Sequence, residues 1–76
     1  MEREREEREL RCLAIELRLA VEAALEGGLS GTAVALDTAR TGLDAVLDDP
    51  APRRTRVALA RARAKLALEA WRGLHH

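Results

Sequence analysis

Two clusters of helix-breaking residues divide this chain. Gly27-Gly28-Leu29-Ser30-Gly31 and Asp48-Asp49-Pro50-Ala51-Pro52 interrupt 76 residues otherwise made of helix formers. With 15 Ala and 13 Leu against one Ile and four Val, strand formers are scarce. No stretch alternates with period two. Alanine has the best helix propensity because it loses no side-chain entropy on ordering. The expected class is therefore all-α, with helices over about 3–26, 32–47 and 52–72 in a single domain, 1–74. Short connections between three such helices favour an up-down-up bundle.

The expected boundaries have local reasons. Gly27-Gly28 permits a left-handed C-terminal cap. Ser30 or Thr32 suits the N-cap of helix 2. Asp49 suits the N-cap of helix 3, with proline in the first turn, where its missing N–H is not needed. Gly73 reads as the stop of helix 3. The first helix would be roughly 36 Å long. It begins with a densely charged run, Glu2 to Glu9, in which Glu4 and Arg8 have the favourable i,i+4 spacing.

Helix 1 has two apolar faces at about 100° per residue. Leu10, Leu13, Ala14, Leu17, Ala20, Val21, Ala24 and Leu25 form one broad stripe. Cys12, Ile15, Leu19 and Ala23 form another, nearly opposite. Arg11 and Arg18 separate them on one side, Glu9 and Glu16 on the other. Helix 3 repeats the division. Val57, Ala60, Ala64, Ala67, Leu68 and Trp71 share one face; Leu59, Ala62, Leu66 and Ala70 share another. A helix on the surface of a monomer normally shows a single apolar stripe. The second faces therefore predict an oligomer interface made of Cys12, Ile15, Leu19, Ala23, Leu59, Ala62, Leu66 and Ala70.

Helix 2 carries a main stripe of Ala35, Leu36, Ala39, Gly42, Leu43, Val46 and Leu47. Gly42 costs about 1 kcal/mol relative to alanine in a helix. Close approach of another helix is its expected compensation. A weaker stripe, Val34, Thr38, Thr41 and Ala45, has the 4-3-4 spacing of a coiled-coil seam. It reads either as a contact surface or as mildly exposed, since threonine hydroxyls can bond the preceding turn. A small-ligand pocket beside helix 2 would draw on Thr38, Ala39, Thr41 and Gly42.

Size gives the second faces an energetic reason. Below about 70–80 residues a single core rarely supplies more than about 3–5 kcal/mol. A lone cysteine excludes an internal disulfide, and no Cys/His cluster suggests a structural metal. Oligomerisation is the remaining supplement, and a homodimer is the commonest closed form.

The net charge is zero, but its distribution is uneven. Residues 1–26 and 27–49 each carry −3, and residues 50–76 carry +6. Acidic helices 1 and 2 would thus complement basic helix 3 within and between subunits. The charged N-terminal segment does not read as a signal peptide. No apolar run approaches the roughly 20 residues of a membrane span. The cations of helix 3 raise the alternative of a small bacterial regulator acting on nucleic acid. That reading lacks a recognition motif, stacking aromatics other than Trp71, and any Asn or Gln to read adenine.

No reaction chemistry stands out, so no enzyme and no cofactor is expected. Cys12 has no histidine nearby in sequence to activate it. It reads as a small packed hydrophobe, with a crosslink across a twofold axis as the alternative. His75-His76 is a weak metal signal and reads as a remnant of a purification tag. Asp37 and Asp44 flank Arg40 on a polar face. The glycine-rich connection follows a helix and lacks the lysine of a phosphate loop.

The Glu/Arg lead-in, the Ala/Leu-rich helices, the short Gly and Asp-Pro connections and the terminal histidines together resemble computationally designed helical bundles. The resemblance spans the chain and is one of style. It implies a self-associating structural scaffold, made for its shape.

Overall fold

The computed structural model describes residues 2–74 and contains three helices. They are α1 (Glu2–Glu26), α2 (Ser30–Asp48) and α3 (Arg54–Leu74). All three pack on one another as an all-α three-helix bundle. Its long dimension, 38 Å, is about the length of α1 at 1.5 Å per residue. His75 and His76 lie outside the described residues.

The first connection is shorter than its composition suggests. Gly28 has φ +74°, a conformation that side chains rarely adopt. Its N–H bonds the Leu25 carbonyl, and the Leu29 N–H bonds the Ala24 carbonyl. This pair of bonds is a Schellman motif. Leu29 then serves at once as the N-cap of α2, its carbonyl accepting from the Ala33 N–H. Ser30 and Thr32 consequently fall inside the helix, and neither caps it through its side chain. The expected start at 32 moves to Ser30 for that reason.

The second connection corrects the expectation for helix 3. Asp49 Oδ1 accepts from the Ala51 N–H, so the carboxylate closes a turn rather than capping a helix. The chain runs through Pro52 before α3 begins at Arg54, with the Arg53 carbonyl accepting from the Val57 N–H. Nor does Gly73 stop the helix, which continues to Leu74.

The core takes one face from each helix. Leu10, Leu17, Ala20 and Ala24 come from α1; Ala33, Leu36, Ala39, Leu43 and Val46 from α2; Ala60, Ala64 and Leu68 from α3. Six of these twelve are alanines, which let the helices approach closely but bury little area each. Leu13, Ala14, Val21, Leu47, Val57, Ala67 and Trp71 pack half-buried around them. Two residues placed inward by periodicity, Leu25 and Ala35, are exposed instead. Ala33, which belonged to neither stripe of helix 2, is buried.

Candidate interaction surface

The outer face of α1 is solvent-exposed along its length. Cys12, Ile15, Leu19 and Ala23 all lie on it. Ile15 is 58% and Leu19 59% exposed, on the side of the helix away from the buried Leu10 and Leu17. Cys12 is a free, exposed thiol and is not packed within the bundle, which corrects the reading of it as a packed residue there.

The matching face of α3 is also exposed: Leu59, Ala62, Leu66 and Ala70. Leu59 and Leu66 do more than protrude. With Arg56 and Arg63 they form one wall of an open cleft of about 400 Å³ between α2 and α3. Ala35, Thr38, Gly42 and Ala45 form the other wall, and the buried Ala39, Val46 and Ala60 lie at its floor.

The cleft settles the fate of the four pocket candidates. Thr38, Ala39 and Gly42 line it; Thr41 does not. Both threonine hydroxyls are turned back onto their own helix. Thr38 Oγ1 donates to the Val34 carbonyl at 2.8 Å, and Thr41 Oγ1 to the Asp37 carbonyl at 2.9 Å. Gly42 also departs from expectation. A methyl group built there meets nothing within 4 Å, so no helix approaches it. What its missing side chain provides is depth in the cleft.

Charge divides the flanks. On the seam between α1 and α3, Glu9 accepts a hydrogen bond from Arg61 Nε and lies 3.7 Å from Lys65 Nζ. Further along, Arg72 donates to Glu16 at 3.0 Å. On α2, Arg40 is held between Asp37 and Asp44, each at 2.7 Å. Hydrogen bonding to Asp37 raises its guanidinium pKa above the ordinary value, with smaller contributions from Asp44. Arg56 lies 3.8 Å from Asp49. Arg63 beside the cleft, and Glu22 and Glu26 on the last turns of α1, make no ion pair among the described residues.

Among the described residues there is no group of three His, Cys, Asp or Glu side chains placed to hold a metal ion. No described helix is long and apolar enough to cross a membrane. Fold and surface together define a small three-helix bundle with an apolar ridge on one helix and a cleft between the other two. No protein-family model, curated protein or solved structure matches the chain.

The stripes were legible in the sequence, and so were three residues of the cleft's α2 side, but its α3 wall was not. Its walls come from two helices, and only their packing brings Gly42 opposite Leu59 and Leu66. The signal that pointed toward it was a glycine inside an otherwise favourable helix.

Proposed function

We propose that this chain is a structural subunit that associates with copies of itself, without catalytic activity. The observation that carries this reading is the exposure of Ile15 and Leu19, 58% and 59%, on the face of α1 opposite the core. Burying a large aliphatic side chain is worth about 1.5–3 kcal/mol. For a core half made of alanine, that gain is a substantial addition to stability. Two copies are the smallest assembly that covers the ridge. Sedimentation equilibrium tests the reading. A mass above the 8.4 kDa of one chain, at micromolar concentration and rising with it, is expected. A mass of one chain throughout overturns it.

A small apolar ligand in the α2–α3 cleft is the second reading, favoured by the cleft itself. Its lining offers little to orient such a ligand, because the Thr38 hydroxyl is committed to the Val34 carbonyl. A ligand held there raises the melting temperature as its concentration increases. Absence of any shift across apolar probes counts against it. Nucleic acid is the weaker alternative, since Arg61, Lys65 and Arg72 are engaged by carboxylates of α1.

A further inference from the structure

We infer that the α2–α3 cleft of one copy receives the outer ridge of α1 from a second copy, so that subunits join head to tail. This inference rests on the self-association reading and adds to it which surfaces meet.

Shape is the first argument. The ridge presents large side chains, Ile15 and Leu19, one turn apart. The cleft presents small ones, Thr38, Gly42 and Ala45, on its α2 wall. Space over Gly42 is open. On the opposite wall Leu59 and Leu66 are two turns apart, roughly 10 Å along the helix. Arg63 stands between them on the same wall, so a protruding aliphatic side chain seats against the two leucines and the Arg63 stem, over the open space at Gly42.

Charge is the second. Arg56 and Arg63 flank the cleft, and Arg63 has no carboxylate partner within the subunit's described residues. The ridge ends in Glu22 and Glu26, which have no cation partner there either. Docking with the Glu22–Glu26 end of the ridge toward Arg56 and Arg63, and the edge bearing Arg11 and Arg18 turned away from them, brings opposite charges together at the rim and fixes orientation.

Placement is the third. The cleft is bounded by α2 and α3 alone, whereas the ridge is on the far side of α1 from the core those helices share. A subunit therefore uses one surface to give and a different one to receive. Such heterologous contacts close into rings when the rotation allows and otherwise extend into filaments. A twofold contact of ridge against ridge would leave the cleft uncovered.

Mixing two variants tests this. Ile15→Lys with Leu19→Lys removes the ridge and keeps the cleft. Gly42→Glu with Ala45→Glu fills the cleft, adds repulsion toward Glu22 and Glu26, and keeps the ridge. All four positions are exposed, so both variants retain the far-UV helical signal. If either does not, the single changes Leu19→Lys and Ala45→Glu replace them. Each variant alone should be monomeric by sedimentation, and an equimolar mixture should form a heterodimer that grows no further. Self-association by the cleft-filled variant alone overturns the head-to-tail contact while leaving self-association standing. So does a mixture that stays monomeric while the unmodified chain assembles. If the unmodified chain is itself a monomer throughout, both readings fall together.

Discussion

Arg72 near the end of α3 donates to Glu16 in the middle of α1 at 3.0 Å, across 56 positions of sequence. Toward the start of both helices, Arg61 meets Glu9. Residue numbers rise together along this seam, so α1 and α3 run parallel and α2 runs against both. Glu9 also faces Lys65, which makes it the most heavily used carboxylate on the seam. These groups are about half exposed, where an ion pair is worth about 0.2–1 kcal/mol. Glu9→Gln should lower stability by an amount in that range. Urea denaturation should show the difference shrinking as salt approaches about 1 M, where screening acts within about 3 Å.

Leu17 is fully buried, whereas Leu66 is 65% exposed on the outer face of α3. Leu17→Ala should cost about 2–5 kcal/mol, from lost burial and the cavity left behind. Leu66→Ala should change stability by no more than about 0.5 kcal/mol at protein concentrations low enough to keep the chain monomeric. Denaturant midpoints for both, at one low concentration, check the pair.

Gly42 sits within α2 with no neighbour near its missing side chain. Gly42→Ala should therefore stabilise the bundle by about 0.5–1 kcal/mol, because the glycine costs backbone entropy and no contact compensates. A helix packed closely against it would have reversed the sign. Thermal melts at low concentration decide between the two.

Gly28→Ala should act in the opposite direction. At φ +74° a β-carbon crowds the following carbonyl, at about 1–2 kcal/mol. Gly31→Ala is the control, since Gly31 has no positive φ and open space around it. Only the Gly28 substitution should lower the melting temperature.

The fold was largely legible in the sequence, because breaker clusters and helical periodicity are local signals. The three helices and most of their buried faces follow from them. Leu25 and Ala35 did not, since periodicity gives the direction of a face but not the width of the arc that neighbours cover. The cap expectations at Ser30, Thr32 and Asp49 rested on side-chain chemistry alone. Backbone geometry displaced them: a Schellman turn handed the cap position to Leu29, and Asp49 was taken by its own turn. For the candidate surface, the exposed stripes on α1 and α3 were visible as excess apolar residues. Their distribution over different sides of the bundle depended on how each helix is rotated against its neighbours, which no single stripe records.

Among the described residues no polar side chain is buried. The interior distinguishes one helix alignment from another by volume alone, and alanines repeated on all three helices offer similar holes at successive turns. A slide of α3 by one heptad would nevertheless bring Trp71 or Val57 to the fully buried place of Ala64, so volume resists it. The carboxylate and guanidinium groups along the α1–α3 seam act as index marks against it. A slide that moved each residue of α3 to the place seven earlier would carry Arg72 away from Glu16 to the position of Lys65 beside Glu9. Modest in strength, these pairs reinforce an alignment that the interior already favours.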